Sequence, residues 1–319
     1  MKTILLLGGF GFIGTNILKF VDNHKELSDE YQFVVFDRIK HHPHGVKTKC
    51  VKRVYVGDFS DETNLDKIFS QNEISFVIHS LSSTVPATSS NARFDVESNL
   101  ISTLNLLSVM DKHGVKNIVY ISSGGAIYGD VLQKVHNEED AVYPKSSYGV
   151  VKLAIEKYLL SYSELYGFKT LILRLSNPFG KYHYNDRQGV INIAIRKALR
   201  KEPLEIWGEG DGVKDYIYIE DFCSVMFALI GFGIESEVYN VGGGLSLSVN
   251  DIVGRIREIN PEFESVHVNA SVTDVQSFEL DITKLRNKIG RLPFRRFGES
   301  LRETYNWQCE EEEKVQKDK

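Results

Sequence analysis

The 319-residue chain is short of cysteine, of excess positive charge and of long apolar runs. Its three cysteines, Cys50, Cys223 and Cys309, are far apart and odd in number. They show neither metal-ligand spacing nor a disulfide framework, and read as reduced thiols in a cytoplasmic protein. Nothing points to zinc or any other metal. Lys and Arg number 38 against 43 Asp and Glu, for a net charge of −5. That removes the electrostatic reason to expect a nucleic-acid partner. No apolar run approaches the ~20 residues of a membrane span, so no membrane partner is expected. The chain opens directly on a strand pattern, which reads as no signal peptide. There is no internal repeat. One large domain or two small ones, with an ample core, are expected at this length.

What the chain does have stands at its start. Gly8-Gly9-Phe10-Gly11-Phe12-Ile13-Gly14 follows the apolar run Ile4–Leu7 and leads into Ile17, Leu18 and Val21. That is strand, glycine turn and helix. Glycines at 8, 11 and 14 let the backbone approach a pyrophosphate, which the N–H groups of the helix start, through Phe12 and Ile13, can meet. The spacing is G-x-x-G-x-x-G. A second strand, Gln32–Phe36, ends at Asp37, 23 residues beyond Gly14. An acid there bonds the adenosine ribose hydroxyls and repels a 2′-phosphate, which favours NAD over NADP. Arg38 follows and offers the opposite preference. Asp58, after the run Val54–Val56, is similarly placed for an adenine contact or for a plain turn.

Strand and helix patterns alternate through the first ~180 residues. Further apolar runs fall at Phe76–Ile78, Ile118–Ile121 and Thr170–Leu173, with helical periodicity over Leu100–Met110 and Val150–Tyr162. The expected fold is α/β: a Rossmann-type doubly wound parallel sheet with a smaller mixed α/β C-terminal substrate domain. The expected division assigns 1–177, with a return segment near 216–241, to the dinucleotide-binding domain. Residues 178–215 and 242–309 form the substrate domain, and 310–319 a charged, disordered tail.

Tyr148-Gly149-Val150-Val151-Lys152 carries the chemistry. Residues four apart share a helix face, so phenol and ammonium face one way. A cation near a phenol stabilises the phenolate and lowers its pKa from about 10. A tyrosinate can then remove a hydroxyl proton while hydride leaves the adjoining carbon.

These motifs are joined by Ile121-Ser122-Ser123-Gly124-Gly125-Ala126-Ile127-Tyr128-Gly129, by Arg174-Leu175-Ser176-Asn177-Pro178-Phe179-Gly180 and by Lys214-Asp215-Tyr216-Ile217-Tyr218-Ile219. Together, over roughly residues 2 to 307, the chain resembles the extended short-chain dehydrogenase/reductases of the nucleotide-sugar epimerase/dehydratase group. The resemblance implies that Tyr148, Lys152 and a nearby hydroxyl are catalytic, that Tyr148 and Lys152 also touch the nicotinamide end, and that Asn99 lies near the catalytic centre. It implies a nucleotide-diphosphate sugar substrate, with Asn177, Val190, Trp207 and Lys214 among its contacts. It also implies a homodimer through a four-helix bundle. The helices near 95–112 and 148–164, apolar on more than one stripe, agree with that.

Two departures stand out. Relatives carry Ser or Thr where this chain has Gly124, which leaves Ser123 as the substitute hydroxyl. They carry Arg where Lys214 and Ser271 stand, the latter three residues before Asp274; Arg187 or a nearby Arg or Lys would compensate. The 4,6-dehydratases of the group place an acid pair where this chain has Gly125 and Ala126, so elimination lacks its agents. The expected activity is an NAD-dependent 4-epimerase of a nucleotide-diphosphate hexose. The alternatives are a 4-ketoreductase or 4-dehydrogenase working through the same residues, and a catalytically silent NAD-binding protein.

Overall fold

Four consecutive residues with no solvent exposure, Ile4 to Leu7, build the centre of the molecule's main sheet. Apolar side chains on both faces are what a strand covered on two sides requires. The computed structural model describes all residues except 85–88, 90, 130–134, 187, 270–276, 292–293 and 318–319. Its main sheet has seven strands: β1 (Lys2–Leu7), β2 (Tyr31–Asp37), β3 (Val51–Val56), β4 (Phe76–His79), β5 (Asn117–Ser123), β6 (Lys169–Leu175) and β7 (Glu237–Val241). The spatial order is β3-β2-β1-β4-β5-β6-β7. β1 pairs in parallel with β2 and with β4, placing Leu7 beside both Phe36 and His79. This is the doubly wound order, whose direction reverses between β1 and β4; ligands of such sheets bind outside the strand ends at that point.

Helices follow from the intervening periodicity. α1 (Phe12–Asn23) buries Ile17, Leu18 and Val21. α2 (Glu62–Gln71) is capped by Asp61, whose carboxylate accepts the Thr63 N–H. α3 (Ser102–Lys112) continues a π-helical turn, Val96–Ile101. α4 (Ser147–Tyr166) starts where the Ser146 hydroxyl accepts the Gly149 N–H and stops at Gly167, whose φ of 70° suits glycine.

The chain divides into two compact units. The first comprises 1–127, 144–174 and 226–239; the second, 128–143, 175–225 and 240–319. The return segment is thus shorter than the expected 216–241. The segment 128–143 belongs to the second unit, where the strand Val135–His136 pairs in parallel with Glu279–Leu280 and the Tyr128 hydroxyl donates to Asn240 Oδ1 at 2.8 Å. In that unit Asn177–Phe179 lies parallel to Lys214–Tyr218, and Leu204–Trp207 parallel to Ser265–Val268.

The tail expectation needs correcting. A single helix, Phe297–Lys317, covers most of 310–319. Tyr184 donates to Glu311 at 3.0 Å and Arg200 pairs with Glu312 at 2.7 Å. Long-range partners order a segment whose composition alone reads as solvated.

Candidate active site

The glycine turn is built by close approach. Gly8 has φ of 78° and donates its N–H to the Phe36 carbonyl at 2.9 Å. A Cβ on Gly14 would stand 2.2 Å from the Gly8 oxygen and 2.7 Å from Gly9 Cα. A Cβ on Gly9 would stand 2.6 Å from Val35 Cγ1. Gly11 is the N-cap of α1 and supplies no side-chain cap, and no acid stands in the first turn with Phe12, Ile13 and Gly14. The positive helix end is therefore kept for an anion. A cradle with no room for a Cβ, ending on such a helix, fits the pyrophosphate of a dinucleotide.

Asp37 closes the turn from the side. Its Oδ2 accepts the Phe10 N–H at 2.9 Å and its Oδ1 the Arg38 N–H at 2.7 Å. Each oxygen has a second lone pair, enough for two ribose hydroxyls. The Arg38 side chain is exposed. Asp58 serves a turn: its Oδ1 accepts the Ser60 N–H at 2.9 Å and hydroxyl at 2.8 Å. Those bonds hold its carboxyl below the usual range.

Three consecutive residues of β5 meet the first turns of α4. The Lys152 Nζ donates to the Ile121 carbonyl at 2.9 Å. The Ser122 hydroxyl donates to Glu156 at 2.5 Å. Ser123, the last residue of β5, acts on the Tyr148 phenol and pulls its pKa down. Gly149 lets α4 pack here, because a Cβ on it would lie 2.3 Å from the Ala126 oxygen. Lys152 is buried, with Nζ 5.8 Å from the centre of the Tyr148 ring. Desolvation pulls its ammonium down to about 8, while the Glu156 charge pushes back up.

The phenol differs from expectation. Desolvation pushes Tyr148 up to about 12, with Ser123 acting against it. The loss of water around a phenolate is the larger effect.

Asn99 and His79 complete the surroundings, lining one cavity with Tyr148, Lys152 and Tyr120. Asn99 Oδ1 accepts the Ser83 N–H at 2.8 Å, fastening the segment that follows β4. Thr103 donates its one hydroxyl hydrogen to the Asn99 carbonyl at 2.6 Å. Its oxygen therefore accepts from His79 Nε2–H at 3.0 Å, so His79 is the neutral Nε2-protonated tautomer. Burial, aided by Lys152, holds its pKa down to about 3. His79, Glu156 and Arg174 escaped the reading of the sequence as site residues. Glu156 carried one available signal: it follows Lys152 by four.

The substrate candidates lie in the second unit. Asn177 donates its Nδ2 to the Asp215 carbonyl at 2.8 Å. Val190 begins the helix Val190–Arg200. Trp207 is exposed at a strand end, and Lys214 opens the strand Lys214–Tyr218. Arg187, Ser271 and Asp274 lie outside the described residues.

The doubly wound sheet, the cradle and the Tyr148–Lys152 pair define a dinucleotide-dependent enzyme of the short-chain dehydrogenase/reductase type. The chain belongs to the NAD-dependent epimerase/dehydratase family, whose model matches residues 4–242. It uses NAD and acts as a sugar-nucleotide epimerase or oxidoreductase. It is similar to the UDP-glucose 4-epimerase of Thermotoga maritima solved with UDP-glucose: 30% identical, TM-score 0.88, covering 97% of this chain and 99% of that one. The UDP-glucose 4-epimerase of Thermus thermophilus, solved with NAD, is 28% identical with TM-score 0.85, over 96% and 98%. A dTDP-4-dehydro-6-deoxyglucose reductase of Escherichia coli is 27% identical over 91% of this chain and 92% of its own. No helix among the described residues is long and apolar enough to cross a membrane.

Proposed function

We propose that the protein is a 4-epimerase of a nucleotide-diphosphate hexose. One observation carries the reading: Lys152, fixed to the Ile121 carbonyl, stands 5.8 Å from the Tyr148 ring, and Ser123, next to the altered Gly124, pulls the Tyr148 pKa down. The constellation keeps a hydroxyl despite the substitution at 124. Tyr148 takes the proton of the sugar's 4-hydroxyl and returns it. Ser123 holds that hydroxyl in line, and Lys152 offsets negative charge on the phenol oxygen. Gly8, Gly11, Gly14 and Asp37 would hold NAD, which would supply a reversible hydride acceptor with no net redox change. Asn177, Val190, Trp207 and Lys214 hold the nucleotide sugar.

Gly125 and Ala126 put no carboxylate beside Ser123, which speaks against dehydration. Net reduction or oxidation at carbon 4 uses the same half-reaction and is the second reading, supported by the similarity to a ketosugar reductase. Proton NMR of the purified protein with UDP-, dTDP- and GDP-hexoses, without added cofactor, separates them. Inversion at carbon 4 with constant absorbance at about 340 nm supports the epimerase. Turnover only with added NAD(H) or NADP(H) replaces it with the oxidoreductase.

The working form is a homodimer. Phe94 and Ile101, before α3, and Val150, Tyr158 and Leu165 on α4 are exposed apolar side chains on the two helical segments expected to pair. Sedimentation at micromolar concentration giving the mass of one chain overturns the dimer.

A further inference from the structure

Lys152 is a buried ammonium whose Nζ donates to a backbone carbonyl, Ile121 O, at 2.9 Å. The groups facing it come from four elements. From β4 comes His79, a neutral imidazole. From β5 comes the Tyr120 ring, 4.8 Å from Nζ. Its own helix supplies Tyr148 one turn before and Glu156 one turn after. From β6, Arg174 approaches through Glu156, its NH2 donating to Oε2 at 2.9 Å and its Nε at 3.2 Å. Both members of that pair are buried. Among these groups Glu156 alone brings a negative charge.

Its placement matters. A carboxylate bonded directly to Lys152 would occupy the ammonium's donors and draw it from Tyr148. Glu156 instead spends its oxygens on Arg174 and Ser122. It acts on Lys152 through the field alone, leaving ammonium hydrogens for the phenol and a ribose.

We propose that Glu156, clamped by Arg174 and Ser122, is a positioning residue that keeps Lys152 protonated beside Tyr148. The proposal rests on the reading of Lys152 as the partner of Tyr148. A buried ion pair that only ties α4 to β6 would leave Lys152 indifferent to its removal.

The experiment reads Lys152 directly. Protein labelled with 13Cε-lysine is titrated by NMR, with the Lys152 signal identified by its loss in Lys152→Met. Removing the carboxylate in Glu156→Gln is expected to lower the midpoint by about one pH unit. That variant strands the Arg174 guanidinium, so the decisive sample is the double variant Glu156→Leu with Arg174→Met, which removes both charges and keeps apolar packing. A lowered midpoint there, with the alkaline limb of turnover moving down in parallel, supports the proposal. A midpoint unchanged from the parent protein overturns it. The titration needs no substrate, so it stands apart from any failure to find sugar turnover.

Discussion

The Asp37 carboxylate accepts the Phe10 N–H at 2.9 Å, joining the end of β2 to the middle of the glycine turn. The acid that is expected to read the ribose therefore also shapes the pyrophosphate cradle. Asp37→Ala should weaken NAD binding by tenfold or more, since hydrogen bonds to a charged group contribute about 1.5–3 kcal/mol. Calorimetric titration of NAD checks this. Unchanged affinity would remove Asp37 from the site.

Gly14→Ala tests the cradle itself. The new Cβ would meet backbone, 2.2 Å from the Gly8 oxygen, which cannot swing aside. A stability loss of about 1–3 kcal/mol is expected, with NAD binding lost. Denaturant unfolding and NAD titration read the two effects. A variant that binds NAD normally would show that the turn is not the pyrophosphate site.

Tyr148→Phe keeps the ring and removes the acid. Turnover should fall by about 10²- to 10⁴-fold with NAD binding retained. The assay is proton NMR of the nucleotide sugar. Full activity in this variant would discard the mechanism.

His79 supplies the pH prediction. Its folded pKa of about 3 lies below the unfolded histidine value near 6.5. Below pH 6.5 the unfolded chain binds the extra proton, so the stability contributed by neutral His79 is complete above that pH and declines as pH falls toward 3. Asp215 and Asp221, both pushed up to about 6 by burial, act in the opposite sense below pH 6. The test is therefore a comparison: urea unfolding at pH 7 and pH 5 for the parent and for His79→Leu. The parent should lose more on acidification, by up to about 1.4 kcal/mol per pH unit. Equal losses would mean that His79 titrates normally.

The glycine turn, the acid ending β2 and the Tyr148–Lys152 pair are legible in the chain alone. Each is a local pattern, set by helix or strand periodicity within a few residues or one strand–helix–strand unit. The doubly wound order follows from the same alternation. What the tertiary structure decided depends on residues far apart. Lys152 reaches the Ile121 carbonyl, and Ser123 lowers the Tyr148 pKa, because β5 ends beside the start of α4. The Asp58 carboxylate turns to Ser60. Residues 310–317 are helical because Tyr184 and Arg200 hold them. Tyr148 is pushed up because packing removes its water. Spacing records which side chains share a face, whereas burial and long-range pairing set their charge and their partners.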